Sequence, residues 1–135
     1  MSDTRHILQL KDAELASIEH TGSDVTLHFS RVFLVQEMEG AIEDSLWTQA
    51  IRLVLHDAVV HGPLPACPCT LSGGDLVNNI FTWRNHAPLP ISWRGNVSCR
   101  LQPADSGTPL SIDAGSLLVE QIDHPRYIRH IGKGE

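Results

Sequence analysis

From Val25 to Ser30 the chain alternates without exception: Val25, Leu27 and Phe29 are apolar, and Thr26, His28 and Ser30 are polar. A strand turns successive side chains to opposite faces, so a period of two sets one face on a core and the other toward water. A helix, with 3.6 residues per turn, would scatter the same residues around its surface. The phase then breaks, because Val32, Phe33, Leu34 and Val35 are all apolar. A strand buried on both faces and a β-bulge both account for such a break. Upstream, Glu14–His20 carries Leu15, Ala16 and Ile18 ahead of the turn signal Thr21-Gly22-Ser23-Asp24. Glu14–His20 and Val25–Val35 are therefore expected to form a hairpin.

Similar runs recur. Ile51–His61 carries Ile51, Leu53, Leu55, Val59 and Val60, and Gly62-Pro63-Leu64-Pro65 ends it, since proline removes a ladder donor. Ser72-Gly73-Gly74-Asp75 reads as a turn, Leu76–Trp83 as a strand, and Ala87-Pro88-Leu89-Pro90 as a break. Asn96–Gln102 alternates through Val97, Cys99 and Leu101, which turns Cys99 toward a core. Pro109–Asp113, a turn at Ala114-Gly115, Leu117–Ile122 and Tyr127–Ile131 complete a meander. One segment is ambiguous. In Gln36–Ala50, Met38, Ile42, Leu46 and Ala50 stand four apart as on a helix, while Gly40 and the acidic residues fit a loop leading into a strand. The expected fold is all-β: an antiparallel barrel or two-sheet sandwich of about eight short strands with at most one short helix. No linker or low-complexity tract interrupts residues 1–135, so they read as one domain.

Composition narrows the function classes. Ten basic against sixteen acidic residues leave a net charge of −6, which phosphate backbones repel, so nucleic acid is not an expected partner. No run approaches the roughly 18–20 apolar residues of a membrane helix. The opening MSDTRHILQLKD lacks the apolar stretch of a secretory signal, and three cysteines are an odd number, so a reducing, cytoplasmic setting is expected.

Catalytic signatures are missing. There is no Gly-x-Ser-x-Gly, no His-Glu-x-x-His, and no lysine after Ser72-Gly73-Gly74-Asp75 to make a phosphate loop. Glu37, Glu39, Glu43 and Asp44 lack the ordered spacing of a calcium loop and read as a solvated acidic face. Two constellations remain. His56, His61, Cys67 and Cys69 supply the four nitrogen and sulfur donors of a zinc site, or thiolates for copper, with Asp57 able to orient an imidazole. Only Pro68 separates the two cysteines, however, where zinc motifs place at least two residues. The pairs Trp83-Arg84 and Trp93-Arg94 combine two residue types enriched at binding hot spots, and the second half of the chain is the more basic. The leading expectation is a non-catalytic binding or interaction protein that self-associates as a homo-oligomer, with a protein or small-molecule partner at those tryptophans. The alternatives are a metal-binding protein or metal-dependent enzyme built on the His/Cys cluster, and a small-molecule carrier using a barrel interior.

Overall fold

The computed structural model describes residues 4–105 and 107–132. It contains ten strands and, among the described residues, no helix. They are β1 (Thr4–Thr21), β2 (Asp24–Met38), β3 (Glu43–His56), β4 (Val59–Val60), β5 (Cys69–Asn78), β6 (Phe81–Arg84), β7 (His86–Leu89), β8 (Ser92–Pro103), β9 (Leu110–Gln121) and β10 (Arg126–Gly132). Every pairing is antiparallel, and the ladder β1-β2-β3-β9-β8-β5 returns to β1, which closes a six-stranded barrel. Strands β4, β6, β7 and β10 attach to its outside and rims.

The expected hairpin forms, but longer, with Thr21 opposite Asp24 across a Gly22-Ser23 loop. Of the two loop residues only Gly22 has positive φ, at 62°, the pattern of a type II′ turn. Both long strands change phase partway. In β1 the buried residues are Leu8 and Leu10, then Ala13 and Leu15; in β2 they are Val25, Leu27 and Phe29, then Val32 and Leu34. Each shift coincides with a break in register, between Gln9 and Glu14 and between Phe29 and Val32. The apolar run after Ser30 is thus a bulge. Bulges of this kind increase local twist and let a strand bend around a small barrel.

Leu10, Leu15, Leu27, Leu53, Leu76 and Leu101 are among the side chains that fill the interior, each with 2% exposure or less. Burying each contributes about 1.5–3 kcal/mol. Eight strands are roughly the number at which an interior begins to hold either side chains or one small ligand. In this six-stranded barrel, leucine and other apolar side chains pack the inside.

Several local expectations are corrected. Gln36–Ala50 is not helical: Met38 ends β2, Gly40 turns with φ 81°, and β3 begins at Glu43. The four-residue stripe there is accidental, since Ile42 is 91% exposed while Asp44 and Gln49 are buried. The strands are not all short, as β1, β2 and β3 have 18, 15 and 14 residues. β1 and β3 are long because each serves two neighbours in turn along one edge, while β2 pairs along its length with both of them. The first half of β3 pairs with β10 and the second with β9; β1 pairs first with β7 and then, through Glu14 and Leu15, with β5. The Ile51–His61 run splits at Asp57, whose φ is 52°. Ala114-Gly115 is not a turn but lies inside β9. Ala87-Pro88-Leu89 is not a break but most of β7. Leu76–Trp83 is two strands, joined at Asn79 with φ 56°.

Ser72-Gly73-Gly74-Asp75 is not a turn either; it lies within β5. Its glycines are there for space. A Cβ on Gly74 would sit 2.6 Å from Leu101 Cδ2 and 2.8 Å from the Arg100 carbonyl, and one on Gly73 would collide with Asn85 Oδ1. Asn85 sews β1 to β5 where the two strands do not pair directly. Its backbone N–H donates to the Gly74 carbonyl at 2.7 Å, its carbonyl accepts from Leu10 N–H at 2.7 Å, and its Oδ1 accepts from Gly74 N–H at 3.1 Å. The φ of 63° that aims all three groups is one that asparagine tolerates better than most residues.

Candidate functional site

Arg84 and His86, the neighbours of Asn85 in the chain, line a surface cleft. Residues paired across a ladder share a face, and so do residues two apart on a strand. Ile7 opposes Pro88 and Gln9 opposes His86, so Arg5, Ile7, His86 and Pro88 all lie on the outer face of β1 and β7. Strand β6 supplies the adjoining wall. Phe81 and Trp83 pack together with ring centroids 4.5 Å apart and planes inclined at 49°. Together with Thr82, Arg84 and Ala87 these residues line a cleft of about 380 Å³. That volume lies within the ~300–1,000 Å³ range of small-molecule sites, and an apolar floor with a few convergent polar groups is their usual chemistry.

The charge of the cleft opposes that of the chain. The protein carries −6, yet the ionisable side chains lining this cleft are Arg5, Arg84 and His86. Arg5 makes only a long contact with Glu37, at 3.8 Å, and Arg84 has no ion-pair partner among the described residues. His86 Nδ1 lies 2.8 Å from the Arg84 carbonyl. A carbonyl only accepts, so Nδ1 carries the proton and Nε2 is left to meet a ligand.

Of the two Trp-Arg pairs, Trp83-Arg84 lines this cleft and Trp93-Arg94 does not. Strands β6 and β8 pair with opposite edges of β5, and Trp93, on β8, packs partly buried against the core opposite Leu117. Sequence reasoning missed Arg5, Phe81 and His86. The signal for Phe81 was present in Asn78-Asn79, because asparagine tolerates the left-handed turn that folds β6 back onto β5.

The structure does not gather His56, His61, Cys67 and Cys69. His56 Nδ1 lies 2.9 Å from Asp24 at the β1–β2 turn, and His61 Nε2 lies 2.8 Å from Asp113 on β9. Among the described residues no group of three or more His, Cys, Asp or Glu side chains is placed to share a metal ion. Asp57 packs against Gly115, so the carboxylate that holds His56 is Asp24. Cys67 and Cys69 are both free thiols, each partly buried, and Cys67 Sγ lies 3.8 Å from the Pro65 carbonyl. Burial is the largest influence on both and raises both pKa values. Cys99 faces the core as its alternation requires, and burial pushes its thiol up to about 12.

Asp113 forms the densest polar cluster. Ser98 Oγ donates to its Oδ1 at 2.6 Å, His61 Nε2 contacts its Oδ2 at 2.8 Å, and Arg100 stands 3.8 Å away. The Ser98 hydroxyl, followed by His61, holds the carboxyl below its ordinary pKa. This is not a nucleophile relay, which requires imidazole against hydroxyl. Here serine and histidine occupy separate oxygens of one carboxylate. No protein family, no curated protein and no solved structure matches the chain.

Proposed function

We propose that this protein is a non-catalytic binding module whose site is the Phe81–Trp83 cleft, and that it takes a small ligand with a flat apolar body and an anionic group. The observation that carries this reading is the local reversal of charge: two arginines and a histidine surround an aromatic pair on an acidic chain. Aromatic faces favour a flat apolar partner, and guanidinium groups favour carboxylate, sulfonate or phosphate. Backbone amide NMR with naphthalene-2-sulfonate tests it. Shifts should concentrate at Arg5 and at residues 81–87, and Arg84→Ala should weaken binding about fivefold, the equivalent of ~1 kcal/mol for an exposed charge pair. Equal binding of uncharged 2-naphthalenemethanol, or shifts spread elsewhere, would refute the assignment.

Self-association is supported by a different observation. Among the described residues the one strand that pairs with Arg126–Ile131 of β10 is β3, and Tyr127 and Ile128 are 50% and 45% exposed. An unpaired edge with apolar side chains is a template for another strand. Sedimentation velocity at high micromolar concentration should show a dimer that a proline at Ile128 abolishes; a monomer throughout would remove this reading.

A further inference from the structure

We propose that the ligand of the Phe81–Trp83 cleft is a short extended peptide that adds as a strand between β6 and β7 and carries an acidic side chain. The proposal rests on that cleft being the binding site and names what fills it. Strands β1 and β5 pair directly through Glu14 and Leu15 and are bridged by Asn85 at Leu10 and Gly74. Beyond Asn85 they part. Since β2 takes the other edge of β1 and β8 the other edge of β5, both β7 and β6 lie in the gap between them. Among the described residues no ladder joins β6 to β7.

The direction of the main chain on each wall follows from Asn85. A trans peptide group points its C=O and N–H in opposite directions. The Asn85 carbonyl accepts from Leu10 on β1, so the His86 N–H points away from β1. The Asn85 N–H donates to Gly74 on β5, so the Arg84 carbonyl points away from β5, and it lies 2.8 Å from His86 Nδ1. Main-chain orientation repeats at every second residue of a strand. Thr82 and Arg84 therefore turn their main-chain groups from β6 toward β7, and His86 and Pro88 turn theirs from β7 toward β6. All four residues line the cleft. Pro88 has no N–H, and it stands where the β1–β7 ladder asks for none.

Both walls thus offer main-chain groups to a strand laid between them, which is how β-augmentation binds peptides. An extended residue within a sheet fills roughly 160 Å³, so the cleft of about 380 Å³ takes about two residues. Charge selects the peptide. Arg5, Arg84 and His86 line the cleft and, among the described residues, no carboxylate does. The Phe81–Trp83 pair suits an aromatic side chain beside the acidic one.

The probe is acetyl-Thr-Phe-Thr-Glu-amide, added to the unmodified protein and followed by amide NMR beside naphthalene-2-sulfonate. The peptide should move the Thr82, Arg84 and His86 amide signals and slow their hydrogen exchange. Methylating the Phe and second Thr nitrogens of the peptide keeps every side chain and removes two donors, and should weaken binding about tenfold. Gln in place of the peptide's Glu should weaken it about fivefold. Equal binding of the methylated peptide, or binding without slowed exchange, would overturn the added strand and leave the cleft as a site. Binding of naphthalene-2-sulfonate but not of the peptide would do the same. If neither ligand moves the cleft signals, the cleft reading falls and this proposal with it.

Discussion

Gly73 and Asn85 should show strong, one-directional coupling. A Cβ added at Gly73 collides with Asn85 Oδ1 and stands 3.3 Å from Asn85 Cγ. That oxygen accepts the Gly74 N–H at 3.1 Å, so the asparagine cannot swing aside without giving up a bond that closes the barrel seam. Losing the bond costs roughly 0.5–1.5 kcal/mol, and forcing the strands apart instead costs roughly 1–3 kcal/mol. Gly73→Ala should therefore destabilise by about 2 kcal/mol, a fall in Tm of roughly 7 °C at this chain length. Asn85→Gly keeps the left-handed backbone available and removes the obstructing side chain. In that background Gly73→Ala should be neutral, or stabilise by up to ~1 kcal/mol through the less flexible unfolded chain. Four urea denaturation curves give the cycle, with an interaction energy of about 2 kcal/mol or more. Equal penalties for Gly73→Ala in both backgrounds would show that the glycine is not there to admit Asn85.

The depressed pKa of Asp113 makes a pH prediction with a definite sign. Its folded value lies below the unfolded one, so its stabilisation is complete above about pH 4, the unfolded value, and is lost as pH falls through the folded value. Ser98→Ala should raise the carboxyl titration midpoint measured by ¹³C NMR and narrow that window; an unmoved midpoint would mean the hydroxyl does not hold the charge. Thiol accessibility should divide two to one. Iodoacetamide should label Cys67 and Cys69 in the native state and Cys99 only in urea, because Cys99 is fully buried and its thiolate strongly disfavoured. A third adduct on the native protein, read by mass spectrometry, would contradict that packing.

The all-β class was legible because alternation is a local signal. Val25, Leu27, Phe29, Val97, Cys99 and Leu101 all face the core as the period of two requires. Choosing a barrel over a sandwich was not legible, since it depends on which distant strands meet. Glycine and proline misled for a related reason. They mark turns statistically, yet Gly73 and Gly74 admit neighbouring groups that lie far off in sequence, and Pro88 sits in β7, a short strand whose direct pairing is with β1 alone. Trp83-Arg84 was found by residue type, but Arg5 joins it only because β1 pairs with β7. The His/Cys cluster was proximity along the chain without proximity in space: Asp24 and Asp113, which hold the two histidines, belong to β2 and β9.

The way the barrel closes also sets the order in which it can be built. Strands β1, β2 and β3 follow one another through short connections and can assemble as a local meander. Closure needs remote partners: Leu55 meets Leu117, and Leu15 meets Cys69. Loop-closure entropy is spent before such contacts return anything, so folding should be slow for the chain's length and should begin with the meander. Until β5 and β9 dock, that meander presents two unpaired edges with leucines along one face, the species most exposed to mispairing with another chain. Pulse-labelled hydrogen exchange during refolding should find β1–β3 amides protected before those of β8 and β9, and simultaneous protection would argue for closure in one step.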